Sequence, residues 1–268
     1  MVEQLTVNQL VAGSSPARGA IEYSLFMIKS LSIIFPIFNE EFRLKSSFNH
    51  ILNFLKKKKN LKIEIIFVDD GSKDNSYNLI TQFIQNFKIS NRIKIKVIKS
   101  KRNLGKGSAL KLGVKKAKHS WILTTDIDMS VSLFQFSNWV KKKLIHRKYF
   151  VYFGSRTHKE SIVKRNIVRN MLGNVMTFCT SIILNIKIKD TQCGYKLYKK
   201  KIAKLIFSKL KNCGFEHDVE LVLILKSKQI KIRELPIKWV HKTSSSLNIL
   251  WDPVKMLVGI FLLKFRKF

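Results

Sequence analysis

From Leu31 onward, short apolar runs rich in β-branched residues alternate with longer stretches whose apolar positions return every three or four residues. Leu31-Ser32-Ile33-Ile34-Phe35 reads as a strand stopped by Pro36, which has no ladder donor. Asn39-Glu40-Glu41 opens a helix with Leu44, Phe48, Ile51, Leu52 and Leu55 at helical spacing. It closes on the basic run Lys56–Lys59, which suits the negative end of a helix dipole. Ile63–Val68 is a second strand, running through Asp69-Asp70-Gly71-Ser72-Lys73-Asp74 into a capped helix that ends near Phe87. A third strand, Ile93–Ile98, is followed by the Gly-rich turn Asn103–Ser108 and a helix over Ala109–Ala117. A fourth begins at Trp121 and ends abruptly on Asp126-Ile127-Asp128. Strands alternating with helices of this length predict a doubly wound, Rossmann-like α/β domain with a mostly parallel sheet. Such sheets take ligands beyond the carboxyl ends of their strands. The polar sets Pro36–Glu40, Asp69–Asp74 and Asp126–Asp128 all fall there.

Asp126 and Asp128, one residue apart at a buried strand's end, would repel each other. A hard divalent cation, Mg²⁺ or Mn²⁺, bridging carboxylates to phosphate oxygens removes that repulsion. A lone Asp-x-Asp more often just begins a loop and caps a helix. Three acidic strand ends on one rim shift the balance to a ligand site.

Charge narrows the partner. The 268 residues carry 51 Lys and Arg against 17 Asp and Glu, a net charge of +34. That favours an anionic partner: a phosphorylated ligand, an anionic membrane surface or nucleic acid. Richness in Lys, Ile, Asn and Phe also matches A- and T-rich codons, so part of the charge reflects composition bias. Nucleic-acid binding is the rival from another class, disfavoured because the charge is spread and no recognised module or zinc spacing occurs. Cys179, Cys193 and Cys213 are odd in number and lack a Cys-x-x-Cys pair, which fits a reducing compartment.

Three stretches resemble the motifs of the inverting family 2 glycosyltransferases of the GT-A fold: Phe35-Pro36-Ile37-Phe38-Asn39-Glu40-Glu41, Val68-Asp69-Asp70-Gly71-Ser72-Lys73-Asp74 and Thr125-Asp126-Ile127-Asp128. Asn103–Ala109, Gly154-Ser155-Arg156, Asp190-Thr191-Gln192-Cys193-Gly194-Tyr195-Lys196 and Phe215–Glu220 follow in the order seen in dolichyl-phosphate β-glucosyltransferases and their bacterial relatives. The resemblance spans about Lys29 to Lys242. It implies a nucleotide-sugar pocket lined by Pro36, Glu40, Asp69 and Asp70, with Lys106 approaching the donor. It implies a metal on Asp126 and Asp128, and an acceptor phosphate met by Arg156 and Arg169, with Arg165 a weaker candidate. Asp190 is expected to position donor or acceptor, or else to cap structure; Asp218 and Glu220 share that ambiguity. Cys193 is expected to pack rather than react. In the related mannose synthases a glutamine two places after the second Asp assists the metal; here that place is Ser130. The implied activity is transfer of a sugar, glucose from UDP-glucose first, onto a polyprenyl phosphate. A GDP-mannose donor or a glycan acceptor is the alternative within the family.

A polyprenyl acceptor requires a membrane, so a peripheral place on its cytoplasmic face is expected. No apolar run reaches the length of a span, about 20 residues. Asn166–Ile186 and the C-terminal segment 243–268, with Trp251, Val254–Leu263 and Lys264-Phe265-Arg266-Lys267-Phe268, suit helices lying in the headgroup region. Core packing explains either stretch equally well by pattern alone; the large positive charge tips the expectation to membrane contact. Residues 27–242 are expected to form the catalytic domain. Residues 1–26 are unlike the remainder, with no Lys, and resemble the conceptual translation of a transfer-RNA gene. The expectation is a start at Met27, which the intact mass of the natively expressed protein checks; a leader without fixed structure is the alternative.

Overall fold

The computed structural model describes residues 28–87, 90–164, 184–212, 214, 216–241, 259, 261, 263, 265 and 266. Residues 1–26, Arg165, Arg169, nearly all of Asn166–Ile186 and most of 243–268 lie outside that set. The first half is a run of β/α units: β1 (Ser30–Ile37), α1 (Glu41–Lys57), β2 (Lys62–Asp69), α2 (Ser76–Gln85), β3 (Ile93–Lys99), α3 (Lys106–Lys116), β4 (Trp121–Thr124) and α4 (Phe134–Lys141). The second half adds β5 (Val151–Ser155), β6 (Ile162–Lys164), β7 (Lys196–Lys199), α5 (Lys200–Lys209), α6 (His217–Ser227), β8 (Ile232–Pro236) and β9 (Lys238–Val240).

Seven strands form one sheet in the order β3-β2-β1-β4-β7-β5-β8; β6 and β9 pair separately. All pairings in the large sheet are parallel except those of β7, which runs against both β4 and β5. Strand alternation sorts the apolar side chains to two faces. Ile33, Phe35 and Ile37 point toward α1, α2 and α4, where they meet Leu44, Ile51, Phe54, Ile80 and Trp139. Ile34, Ile66, Val68 and Ile122 point the other way, against Leu110 and Val114 of α3 and Ile206 and Phe207 of α5. Each such side chain taken fully from water contributes roughly 1.5–3 kcal/mol.

Two expected boundaries move. β1 does not stop at Pro36 but runs on to Ile37, with Pro36 opposite Val68 of β2. The Ile34 carbonyl accepts from Thr125 N–H, so the polar groups of Ile34 and Pro36 face β4. β4 ends at Thr124, opposite Ile34, so the donor that Pro36 lacks has no strand to miss it. The turn before α3 is also shorter than expected. Helix begins at Lys106 rather than Ala109, because Gly105 at φ 93° supplies the sharp entry.

Because β7 alone is reversed, the carboxyl ends of β1, β2, β3, β4, β5 and β8 share one rim, together with the amino end of β7. Every sequence-predicted site residue among the described ones stands on that rim or just beneath it.

Candidate active site

The rim is laced before any ligand is considered. Asp70 N–H donates to Ile37 O (2.8 Å) and Ser100 N–H to Asp69 O (2.8 Å), closing the ends of β1, β2 and β3 together. Asn39, at φ 53°, exchanges bonds with the next loop: its N–H reaches Ser72 Oγ at 3.0 Å and its Oδ1 accepts Lys73 N–H at 2.9 Å. Glu40 N–H donates to Ser76 Oγ (2.8 Å), and its carboxylate meets Arg43 (2.5 Å). Burial raises the Glu40 carboxyl above its ordinary value; Arg43 opposes this, and the neighbouring Asp128 and Asp126 add to it. The last effect places Glu40 within electrostatic reach of the Asp-x-Asp.

Asp69 is fully buried; one oxygen accepts Ser72 N–H (3.3 Å) and the other finds no partner among the described residues. Asp70 holds the loop after β3, accepting from Gly105 N–H (2.7 Å) and Leu104 N–H (3.1 Å). Burial raises its carboxyl, against those two bonds and with help from Asp69. Gly71 has φ 73°, and a Cβ there would lie 2.6 Å from the Arg102 backbone, so only glycine lets the two loops approach. Lys106, the first residue of α3, reaches from this loop to Asp126, Nζ to Oδ1 at 2.6 Å.

Beyond β4 the chain turns so that Ile127 is buried, with its carbonyl bonded to Ser47 Oγ (2.5 Å), while Asp126 and Asp128 remain on the surface side. Asp128 folds back on Ser130: Oδ1 accepts the N–H and Oδ2 the hydroxyl, each at 2.8 Å. A small cavity here is lined by Asp126, Asp128, Ser130, Cys193, Gly194 and Trp239. A Cβ on Gly194 would sit 2.4 Å from Asp126 Oδ2, so this glycine makes the room for the carboxylate.

The 190–195 loop joins that pair to Arg156. Asp190, nearly fully buried, receives Arg156 Nε and Nη2 (2.7 Å each), Arg156 N–H (2.8 Å) and Cys193 N–H (3.2 Å). Burial would raise the Asp190 carboxyl, but the Arg156 guanidinium and its bonds outweigh that and hold it below the usual range. Asp190 therefore aims Arg156, with both carboxylate oxygens already engaged. Burial, with Asp190 adding to it, pushes the Cys193 thiol up to about 12, so it packs and is no nucleophile near neutral pH.

Asp218 and Glu220 lie deeper. Lys196, itself buried, pairs with Asp218, and His217 Nε2 lies 3.2 Å from the same carboxylate. Burial pushes the Asp218 carboxyl up; His217, Lys196 and Lys106 outweigh it and hold it far below the usual range. Glu220 caps the loop after α5 through Lys211 N–H (2.9 Å) and Asn212 N–H (2.7 Å), and meets Arg266 at 3.1 Å. Trp239 and the Ser130 clasp on Asp128 escaped the sequence reading. Ser130 O accepts Val240 N–H (2.9 Å) across more than a hundred residues, a contact that no local pattern announces.

Among the described residues no group of three or more His, Cys, Asp or Glu gathers as a ready metal site. Asp126 and Asp128 nonetheless offer the oxygen donors that a hard divalent cation takes, with Gly194 leaving Asp126 room. The two carboxylates fit such an ion as part of its shell; Ser130 stands where a third protein ligand was in question.

Residues 32–207 match the model of glycosyl transferase family 2. The chain is 33% identical over 250 residues to the dolichyl-phosphate β-glucosyltransferase of Dictyostelium discoideum, covering 88% of this chain and 74% of that one. It is 30% identical over 249 residues to the human enzyme of that name, covering 89% and 76%. Among solved structures, glucosyl-3-phosphoglycerate synthase from Mycobacterium tuberculosis in complex with Mn²⁺ and UDP-glucose superposes with a TM-score of 0.61 at 13% identity, covering 88% of this chain and 79% of that one. Mannosyl-3-phosphoglycerate synthase from Rubrobacter xylanophilus gives a TM-score of 0.60 at 13% identity, covering 90% and 79%. These last two, at 13% identity, carry the fold alone: a mixed, mostly parallel sheet with helices. The chain belongs to glycosyl transferase family 2 and is a glycosyltransferase of the GT-A fold.

Proposed function

We propose that this enzyme transfers glucose from UDP-glucose to the phosphate of a polyprenyl lipid, working peripherally at the cytoplasmic face of a membrane. The observation that carries the reading is the likeness to dolichyl-phosphate β-glucosyltransferases over nearly nine-tenths of the chain, a stretch that takes in the whole rim. In this reading Pro36, Glu40, Asp69 and Asp70 line the nucleotide pocket, and Lys106 meets the donor. Asp126 and Asp128 hold a divalent cation, Mg²⁺ or Mn²⁺. When bound, that ion neutralises charge developing on the leaving nucleoside diphosphate.

Arg156, aimed by Asp190, binds the acceptor phosphate through the part of its guanidinium that remains exposed, with Arg169 as its partner. A phosphate monoester carries an ionised oxygen near neutral pH, so it attacks the anomeric carbon directly and no strong general base is needed. The leaving oxygen departs from the opposite side, and the α-linked donor becomes a β-linked lipid phosphate sugar. Among the described residues no helix is long and apolar enough to cross a membrane. Support for surface contact comes from the net charge and from the end of the chain. There Leu263 is buried, Arg266 pairs with Glu220, and Phe261 and Phe265 stand exposed with ring centroids 5.2 Å apart.

Incubation with undecaprenyl phosphate and a panel of nucleotide sugars, GDP-mannose included, followed by mass analysis of the lipid, tests this. Hexosyl-phosphate lipid from UDP-glucose and release of UDP are expected. Product from GDP-mannose alone would replace the donor assignment, and no lipid product would remove the acceptor.

A further inference from the structure

We infer that Lys106 stands in for the cation at Asp126 until the donor arrives, so that metal and nucleotide sugar bind as one coupled event. The inference rests on the reading of Asp126 and Asp128 as the metal carboxylates. Each of the two already has an internal partner. Lys106 Nζ sits 2.6 Å from Asp126 Oδ1, on one of the two carboxylates that would hold the ion. Both oxygens of Asp128 are taken by Ser130, at 2.8 Å each. Of the two like charges at the end of β4, one is thus paired with an ammonium and the other is held by two neutral donors from within the chain.

A hard divalent ion arriving alone would compete with the ammonium and the Ser130 clasp for only two protein carboxylates. Such ions satisfy six or more oxygen sites. The donor diphosphate changes both sides of that exchange. It brings further oxygens for the ion, and it offers Lys106 an anion to replace Asp126. The lever is also tied to the nucleotide pocket. Asp70 accepts from Leu104 and Gly105 N–H, the two residues before Lys106, so what occupies the pocket bears on where Lys106 begins. Coupling of this kind is reciprocal: UDP must tighten Mn²⁺ by the same factor that Mn²⁺ tightens UDP.

The test is Mn²⁺ binding to the full chain, followed through the electron paramagnetic resonance signal of free Mn²⁺, with and without UDP. In the wild type UDP should raise Mn²⁺ affinity by about tenfold or more. Lys106→Met should raise affinity for Mn²⁺ alone by about fivefold, the upper worth of a part-exposed ion pair, and shrink the effect of UDP. Neutral Lys106→Gln should repeat that gain and charge-keeping Lys106→Arg should not, with circular dichroism showing all three folded. If neither neutral variant gains affinity for Mn²⁺ alone while the wild type still binds Mn²⁺ with UDP, the stand-in role is wrong and the metal reading survives. If the wild type binds no Mn²⁺ even with UDP, both fall.

Discussion

At the scale of single residues, the site is built from contacts that tolerate little change. Under the proposed reading Asp128→Asn leaves the Ser130 N–H bond in place but removes the charge facing the metal. Turnover should fall about a hundredfold or more while the melting curve stays close to wild type; full activity in that variant would end the reading. Gly194→Ala is a subtler probe. Its new Cβ would lie 2.4 Å from Asp126 Oδ2, so the carboxylate must shift. A displacement of that order should cost on the order of a hundredfold in kcat, with little loss of stability, in steady-state assays. The carboxylates themselves were legible in the sequence, because a paired acid at a strand end is a local pattern. Gly194 as Asp126's neighbour was not, since it approaches from another strand's loop.

At the scale of elements, the buried carboxylates of Asp190, Asp218 and Glu64 tie strands and helices together, and each is held below its ordinary range. For Glu64, burial pushes upward and is outweighed by bonds from Lys96 and Ser32. A depressed folded-state value means that the stabilisation is complete above the unfolded-state value and is lost as pH falls through the folded one. Urea midpoints should therefore hold down to about pH 4 and drop below it. Glu40 and Asp70, raised in the fold, act with the opposite sign, and their strain relaxes on acidification. Asp218→Ala leaves Lys196 buried and unpaired, and should cost about 3–5 kcal/mol in urea unfolding. Strand and helix positions were readable from periodicity in the first half. The order in the second half was not, because β7 inserts between β4 and β5 by long-range pairing that leaves no periodic trace.

At the scale of the whole molecule, charge and the chain's end meet in one measurement. The chain should float with vesicles rich in anionic lipid, and added salt should weaken the binding, since each Lys or Arg near such a surface contributes about 1 kcal/mol. Deleting residues 251–268 would also strip Leu263 from the core and Arg266 from Glu220, mixing folding with binding. Replacing exposed Phe261 and Phe265 together by Ser separates the two: flotation should fall several-fold while the melting temperature holds. Unchanged flotation would remove this end from the membrane contact. The sequence by itself determined the doubly wound plan and the three acidic strand ends, because each is written in spacing over a few residues, and its motifs carried the resemblance to the family. Only the tertiary structure decided that Asp190 aims Arg156, that Asp218 and Glu220 belong to a buried layer beneath the rim, and that Lys106 lies on Asp126. The reason is physical: such contacts join residues that the sheet order brings together, and their charges are settled by burial and by partners that local sequence does not contain.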